Sequence, residues 1–448
     1  MVNDVCFLQF NCDSGESVEF LGFDISDAFN NVPVAQSERK YLCAHIGGKF
    51  IVFDSLVFGS GSSPTIWGRY AALLGRSLAS IFCPTELRLQ IYVDDPILSA
   101  RGDVATRRRL FTIALLWVAA TGFPVAWHKA EAGTAVRWIG AQLNIHADGL
   151  KVCIPPDMIA DLLQRTNDLL SVTTVSRRRV RSYCGSLSFV AGLVCFLRPF
   201  LSAIWAALSK KADSANDADA CQVPTRKRKR RLPLSMLFTR QFQHSLHWLL
   251  AFLTFSIGPL ERNFLFAPAS AGQRLRIATD ASPWGVGGVL VIDNVISAWF
   301  AHWITHEDLR RFNAKRGVSD FNTLWEALAI LIAVRLWRRA SHVVAQIEVR
   351  SDSLGSLRML NKLSSPDPSL NVIARELALD SARLLREPDF FVHTPGVANV
   401  LPDKLSRLWA PKPSVFPSVL NGIPGGQPPE RDSAFWLTTG APVGSSLA

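Results

Sequence analysis

Two adjacent acidic side chains, Asp94 and Asp95, interrupt the apolar stretch LQIYVDDPILSA. Like charges side by side in a buried strand repel each other and lose hydration unless a cation neutralises them, as a hard divalent metal with oxygen ligands does. Asp24 ends a second apolar stretch, FLGFDISDAFNNV, and offers a third carboxylate. Together the three acids predict a metal site. Taken alone, the first stretch also fits a hairpin turn and the second a helix capped by Asp24 and Asp27.

Four further acids lie in the second half of the chain, in segments whose patterns alternate between strand and helix. In chain order these segments are RLRIATDAS, TLWEALAILIAVRLW, AQIEVRSDS and PDKLSRLW, and the acids are Asp280, Glu326, Asp352 and Asp403. Taken singly, Asp280 fits a turn cap, Glu326 a solvated helix edge, and Asp403 a charge favoured by a helix dipole. Four carboxylates on a strand, a helix, a strand and a helix start can instead converge into one metal-binding cluster.

The elements that position these acids are read from hydrophobic periodicity. Between Val18 and Ala147, short β-rich runs alternate with apolar helical stretches, which indicates an α+β fold, and residues 157–208 are typical of helices. The segment RLRIATDASPWGVGGVLV has the pattern of a β-hairpin. Pro96 lacks a backbone donor, so we expect the strand after Asp95 to be an edge strand or to be bulged.

Changes in composition divide the chain into five segments. The middle segment contains an uninterrupted basic block, Arg226 to Arg231. This block fits a nuclear-import signal, a phosphate-contacting linker or a solvated charge run, and we rank nuclear import first. The last segment is rich in Pro, Gly and Ser, and we expect it to be poorly ordered. The segments are 1–150, 151–210 (helical), 211–272 (basic linker or connection), 273–410 (a second globular unit) and 411–448 (tail).

Charge and apolar content limit the function classes. The 448 residues carry a formal net charge of +11 and a mean hydropathy of +0.17, which favours a folded protein with a polyanionic partner, nucleic acid first and an acidic membrane surface second. The eight cysteines form no CxxC pair, so we expect neither disulfides nor a zinc knuckle. The sequence shows no secretory signal and no apolar run long enough to span a bilayer, which predicts a nuclear or cytoplasmic protein that is not secreted.

The motifs FDISDAF, LVFGSGSSP, IYVDD, TGFPVAWHKAE and VRWIGAQL resemble, in this order, the palm motifs of reverse transcriptases. The resemblance is closest to enzymes of long-terminal-repeat and tyrosine-recombinase retrotransposons. It implies a right-hand palm with a helical thumb, and two Mg²⁺ ions, or Mn²⁺, held by Asp24, Asp94 and Asp95. It also implies a nucleotide site and a primer grip, whose residues are Asp27, Ala28, Phe29, Phe58, Gly59 and Lys129 for the nucleotide, and Trp138, Ile139 and Gly140 for the primer. Val57 and Pro96 depart from the usual pattern of the family.

The motifs TDAS, NTLWEALA, RSDS and HTPGVANVLPDKLSR resemble, in order, those of retroelement ribonuclease H. This resemblance implies a five-stranded mixed sheet with helices, and a second pair of Mg²⁺ ions held by Asp280, Glu326, Asp352 and Asp403. His393 and Asn399 match the loop before the last aspartate. The long spacing between the first two acids implies an insertion, THEDLRRFNAKRGVSD, whose basic residues we expect to contact a nucleic-acid backbone.

Together the resemblances imply an RNA-directed DNA polymerase with ribonuclease H. The implied partners are an RNA template, a DNA primer, an RNA–DNA hybrid and deoxynucleoside triphosphates, with no membrane partner, and the oligomeric state stays open. The alternative is a degenerate retroelement relic that binds nucleic acid but catalyses little. Because Asp24 lies close to residue 1 and no Lys or Arg precedes it, we expect the fingers to be largely missing and polymerase activity to be impaired.

Overall fold

The computed structural model describes residues 1–209, 233–266, 273–337, 346–384, 390–440 and 442. The basic block from Arg226 to Arg231 lies outside these ranges. The described chain forms two compact units, the first from residues 1–155 with 261–266, and the second from residues 156–260 with those from 273 onward. None of the helices within the described ranges is both long enough and apolar enough to cross a membrane.

The first unit is built on an antiparallel sheet flanked by helices. The strands are β1 (Ser17–Gly22), β4 (Leu87–Tyr92), β5 (Asp95–Gly102) and β6 (Glu131–Gly133), in the order β4-β5-β1-β6. The helices are α1 (Val2–Phe10), α2 (Ser63–Ala79) and α3 (Val104–Ala120). A core of buried residues that includes Trp67, Leu74, Leu98 and Ala114 joins α2 and α3 to the sheet. The predicted α+β class is confirmed.

The strand that contains Pro96 is neither an edge strand nor bulged, so this expectation was wrong. β5 pairs with β4 on one side and with β1 on the other, with no register shift in either ladder. Pro96 is tolerated because β1 ends at Gly22, which pairs with Ile97. Beyond that point Phe23 N donates to the Pro96 carbonyl at 3.2 Å, a bond that uses the oxygen of Pro96 and not its missing N–H. The missing N–H of proline therefore falls where the ladder is already ending.

A second sheet and a separate hairpin complete the first unit. The second sheet has the order β12-β9-β8-β7, from β7 (Ala135–Trp138), β8 (Ala141–Ile145), β9 (Gly149–Cys153) and β12 (Glu261–Leu265). The hairpin pairs β2 (Cys43–Ile46) with β3 (Lys49–Val52). β12 lies within the stretch predicted to be a linker or connection.

The second unit begins with the predicted helical segment. Its helices are α4 (Pro156–Leu170), α5 (Arg177–Leu193), α6 (Arg198–Ser209) and α7 (Gln243–Leu253), and a short pair joins β10 (Thr174–Ser176) to β11 (Met236–Phe238). The basic run at residues 177–181 begins α5, whose N-terminus is capped by the Ser176 hydroxyl. Phe200, Trp248 and Phe252 pack together between α6 and α7.

The rest of the second unit is a five-stranded mixed sheet with helices, as predicted. The strands are β13 (Arg274–Ala281), β14 (Gly285–Ile292), β15 (Val295–Trp303), β16 (Gln346–Ser351) and β17 (Phe390–His393), in the order β15-β14-β13-β16-β17. β13 to β15 are antiparallel, and β16 and β17 run parallel to β13. The helices are α8 (His306–Arg311), α9 (Asn322–Leu336), α10 (Leu354–Lys362), α11 (Pro368–Leu384) and α12 (Val400–Ser406).

Two glycines of β14 allow α12 to lie close to the sheet. A side chain at Gly287 would place its Cβ 2.6 Å from the Leu405 side chain, and one at Gly285 would lie 2.7 Å from the Ser406 carbonyl oxygen. Only residues without a side chain fit at both positions. The helix start that contains Asp403 is thereby held against the strand pair that contains Asp280.

The expectation that the tail would be poorly ordered was wrong for residues 411–440. Arg431 forms a buried ion pair with Asp308 at 2.8 Å, and Trp436 is among the most buried side chains of the chain. The tail has little regular secondary structure because it is rich in Pro and Gly. Arg431 and Trp436 are nevertheless buried in the folded unit.

Candidate active sites

The first site brings together the three acids predicted from the sequence of the first unit. Asp24 follows β1, and Asp94 and Asp95 lie where β4 turns into β5. One carboxylate oxygen from each lies within 4.8 Å of the others. The three are only partly buried, so the cluster is open to a ligand on one side.

Hydrogen bonds to the backbone carbonyls of the three acids fix the position of this cluster. Ile25 N donates to the Asp94 carbonyl at 2.9 Å, Ala126 N donates to the Asp24 carbonyl at 2.9 Å, and Trp138 Nε1 donates to the Asp95 carbonyl at 3.0 Å. The three acids therefore keep a defined spacing although they belong to different segments of the chain.

Electrostatics make the cluster receptive to a cation. Burial, followed by the charges of Asp94 and Asp24, raises the pKa of Asp95 to about 6, and burial also raises the pKa of Asp94. Lys129 Nζ lies 2.6 Å from Asp24 Oδ2 and pairs with this carboxylate. The cluster attracts positive charge because its carboxylates are close together and incompletely solvated.

The turn between the two acidic strands depends on a residue that sequence analysis did not single out. Val93 has a φ of +57°, a left-handed conformation that β-branched residues rarely adopt. The fully buried Trp67 of α2 donates from Nε1 to the Val93 carbonyl at 2.7 Å and holds the peptide in this orientation. No sequence signal indicates this role, because a tryptophan on an apolar helix face is usually only a core residue.

The residues predicted for nucleotide binding lie on the segments that follow Asp24. Asp27, with a φ of +49°, precedes a short 3₁₀ helix that begins with the buried Ala28 and contains Phe29. The rings of Phe29 and Phe58 are 4.9 Å apart, edge to face, and Phe58 is 76% exposed. Gly59 has a φ of +93°, which explains the glycine there.

The predicted primer-grip residues form the tight turn between β7 and β8. Trp138 pairs with Ala141, and Ile139 and Gly140 both have positive φ, as a two-residue hairpin turn requires. Through its indole N–H, Trp138 contacts the Asp95 backbone, so this hairpin is connected directly to the first cluster.

The second site collects acids from three elements of the five-stranded unit. Asp280 lies near the end of β13, Glu326 on α9, and Asp352 directly after β16, and their carboxylate oxygens lie within 4.8 Å of one another. Ala281 N donates to Glu326 Oε1 at 2.8 Å, and the Ser351 hydroxyl donates to Glu326 Oε2 at 3.1 Å. Asp280 and Glu326 are buried, whereas Asp352 is partly exposed.

Burial dominates the electrostatics of the second cluster. It raises the pKa of Asp280 to about 7, with further contributions from the charges of Asp352 and Asp403. It also raises the pKa of Glu326 well above its usual range, with Asp280 as the next cause. Three mutually close carboxylates in a partly dry site fit a hard divalent cation.

Asp403 lies outside the group of three, although its charge acts on Asp280. Its Oδ1 accepts a hydrogen bond at 2.6 Å from Arg407 Nε, one turn further along α12. His393 Nε2 lies 3.1 Å from the Asp352 carbonyl, and the Asn399 amide bonds the Thr279 carbonyl at 2.9 Å and Asp280 Oδ1 at 3.4 Å. The segment from His393, at the end of β17, to Asn399 therefore borders the cluster without joining it.

The insertion between Asp280 and Glu326 forms α8 and an irregular loop. Thr305 and Asp308 form a capping box at its start, and Gly317 N donates to the Pro283 carbonyl at 3.1 Å, next to the turn after Asp280. Lys315 and Arg316 are exposed in this loop, which leaves the prediction of backbone contacts open.

Residues 3–143 match the family model described as reverse transcriptase (RNA-dependent DNA polymerase). Over these residues the chain is therefore similar to reverse transcriptases. The matched stretch contains all of the first carboxylate cluster, together with Lys129 and the turn between β7 and β8.

Solved structures of foamy viral protease-reverse transcriptases also match the chain. One, in complex with an RNA/DNA hybrid, has a TM-score of 0.42 at 14% identity, over 92% of this chain and 48% of that one. Another, in complex with double-stranded DNA, has a TM-score of 0.41 at 14% identity, over 84% of this chain and 57% of that one. The chain thus spans about half the length of the first. No curated protein sequence matches it.

Proposed function

We propose that the chain has two phosphoryl-transfer sites, an RNA-directed DNA polymerase at the first cluster and a ribonuclease H at the second. The observation that carries the proposal is the convergence of two separate sets of three carboxylates, each from distant segments of the chain. The family match over residues 3–143 supports polymerase chemistry at the first. In a degenerate relic, no selection would retain both carboxylate clusters.

Both clusters suit magnesium or manganese. Each offers only carboxylate oxygens, without the thiol or imidazole ligands that favour zinc or copper. Metal ions bound there would lower the pKa of an attacking hydroxyl or water and neutralise charge on the phosphate. Asp24, Asp94 and Asp95 would hold them in the first cluster. In the second, Asp280, Glu326 and Asp352 would do so, with Asp403 beside them.

In the polymerase site, the neighbouring residues bind and orient the substrate. Lys129 supplies a cation next to Asp24 that can pair with a phosphate oxygen of a deoxynucleoside triphosphate. Phe29, packed against Phe58, places an apolar ring where a ribose 2′-hydroxyl would lose its hydration without gaining a partner. We therefore propose selection of deoxynucleotides by Phe29.

The proposed partners are an RNA template, a DNA primer and the hybrid that they form. The net charge of +11 supports binding to polyanions, and the matching foamy viral enzymes were solved with an RNA/DNA hybrid or DNA. In the proposed ribonuclease H site, His393 is exposed and Asp352 is partly exposed, so a scissile phosphate can reach both residues.

We propose that residues 1–448 alone extend primers only weakly. Residues 1–23 contain no Lys or Arg, and α1 is occupied in packing, with Asp4 bonded to Gln90 and paired with Arg88. This segment therefore supplies no cation to hold a triphosphate. In phosphoryl-transfer sites, such cations provide a large part of the stabilisation of the transition state.

The test is a pair of variants, each assayed for both activities with Mg²⁺. Asp352→Asn should abolish degradation of the RNA strand of a hybrid while hybrid binding, which depends on dispersed basic residues, stays near that of the parent. Asp94→Asn should abolish the weak primer extension and leave hybrid degradation intact. Hybrid degradation at the parent rate in Asp352→Asn would refute the assignment of the second site, and extension that persists in Asp94→Asn would refute that of the first.

A further inference from the structure

The buried Ser406 of α12 makes a contact with the second cluster that neither the sequence motifs nor the proposed reaction assigns. Its Oγ lies 2.7 Å from Asp280 Oδ2 and 2.9 Å from the Asp403 carbonyl oxygen, and the residue has no solvent exposure. A serine hydroxyl has one proton to donate. The charged carboxylate is the stronger acceptor of the two, and it is also the closer.

The backbone of Ser406 is itself held in place from the strand side. Ser282, in the turn directly after β13, donates from its hydroxyl to the Ser406 carbonyl at 2.8 Å. The same Ser282 oxygen accepts hydrogen bonds from Trp284 N at 3.3 Å and Gly285 N at 3.2 Å. The Ser406 backbone therefore cannot move away from β13 without disturbing the partly buried turn that follows this strand.

We infer that Ser406 is a positioning residue of the second cluster, which fixes the orientation of the Asp280 carboxylate toward its metal and fixes α12, with Asp403, against β13. Asp280 has a second neighbour in Asn399, but that amide lies 3.4 Å from Oδ1 and makes its shorter bond, 2.9 Å, to the Thr279 carbonyl. The hydroxyl of Ser406 is thus the short contact that restrains this carboxylate. Replacing a group that orients a metal ligand in this way typically weakens metal binding by about 10- to 100-fold.

The inference rests on the proposed metal site, and its test measures metal binding directly. Mn²⁺ binding to the full chain is followed by titration calorimetry in a background with Asp94→Asn and Asp95→Asn, so that only the second cluster responds. Ser406→Ala should weaken Mn²⁺ binding about 10-fold, within the range found for residues that orient metal ligands. Ser406→Cys keeps a similar side-chain shape, but its thiol is a poor hydrogen-bond donor, so it should weaken Mn²⁺ binding to a similar degree. It replaces Ser406→Ala in the test if the alanine variant does not fold.

Two further variants separate positioning from a general effect on folding. Ser406→Thr retains a hydroxyl and should keep the affinity within about threefold of the parent. Ser356→Ala removes another fully buried serine, whose hydroxyl bonds the Thr323 carbonyl and no carboxylate, and should leave Mn²⁺ binding unchanged. In hybrid cleavage, Ser406→Ala should raise the half-saturating Mg²⁺ concentration about 10-fold without raising the KM for the hybrid.

The inference is overturned if Ser406→Ala and Ser406→Cys bind Mn²⁺ as the parent does, or if Ser406→Thr loses as much affinity as they do. Failure of the proposed function has a different signature. In that case the parent background binds Mn²⁺, and binds it more weakly in Ser406→Ala, but degrades no hybrid with any divalent metal.

Discussion

Each cluster contains acids whose charged form is penalised by burial in the metal-free chain. Burial raises the pKa of Asp95 to about 6 and that of Asp280 to about 7. An acid whose pKa is raised by folding binds its proton more tightly in the folded state, so the contribution of these two acids to stability falls as pH rises from about 4 to about 7. A bound metal would offset this cost, since it pairs with the same ionised groups.

Neutralising Asp280 should therefore stabilise the metal-free protein above neutral pH. With EDTA present, we expect the free energy of unfolding of Asp280→Asn to exceed that of the parent, and the excess to be about 2 kcal/mol larger at pH 8 than at pH 5. The reason is that the folded parent is ionised at residue 280 only at the higher pH. Urea unfolding at the two pH values measures the difference. The exposed Asp320→Asn is the matched control and should show no such change with pH. If the gain of Asp280→Asn does not change with pH, or is larger at pH 5, Asp280 does not carry this electrostatic cost.

At the scale of elements, the sequence predicted most of the fold that positions the sites. The helical periodicity of residues 157–208, the hairpin containing Asp280, and the placement of the second set of acids on strand, helix, strand and helix start are all observed. Hydrophobic periodicity and turn residues are local signals, and these elements depend on local preferences that the packing did not override.

The features that the sequence did not predict depend on contacts between distant segments. Pro96 lies in a central strand because a neighbouring strand ends beside it, which no local pattern can show. Asp403 lies outside the group of three acids and pairs with Arg407, one helical turn away. Ser406 lies one helical turn after Asp403 on the same helix face, which was a weak sequence signal for a role near the cluster. Its partner Asp280, however, lies far away in the sequence.

The tail, in particular, was misjudged from its composition. Glu376 of α11 is fully buried and accepts hydrogen bonds from Thr438 N at 2.7 Å, from the Thr438 hydroxyl at 2.6 Å and from Leu437 N at 3.1 Å. Its other partner is Arg335 of α9, at 2.8 Å, whose guanidinium also bonds the Phe435 carbonyl. The tail thus completes a buried polar network, and composition alone carries no information about such partners.

Truncation after Gly426 should destabilise the second unit strongly. It removes three donors to Glu376 and the Arg431 partner of the buried Asp308, and uncompensated buried charges of this kind cost about 3–5 kcal/mol. Chemical unfolding of the full chain and the truncated chain measures the loss, with Val415→Ala, at a tail position that is 84% exposed, as the control. A truncated chain as stable as the parent would show that the tail only lies on the surface.

At the scale of the whole molecule, the chain contains two compact units, each with its own carboxylate cluster. The acids of the first all lie in residues 1–155, and those of the second all lie beyond residue 273. Because the ligand sets share no residue, we expect each cluster to bind divalent metal independently of the other.

The most direct test counts bound Mn²⁺ by electron paramagnetic resonance in four forms of the full chain. They are the parent, Asp94→Asn with Asp95→Asn, Asp280→Asn with Glu326→Gln, and all four substitutions together. We predict that each pair removes about half of the bound Mn²⁺ without changing the affinity of the remainder, and that the combined variant binds none at the same concentrations. Mn²⁺ binding that neither pair reduces, or that either pair alone abolishes completely, would contradict the claim of two independent metal sites.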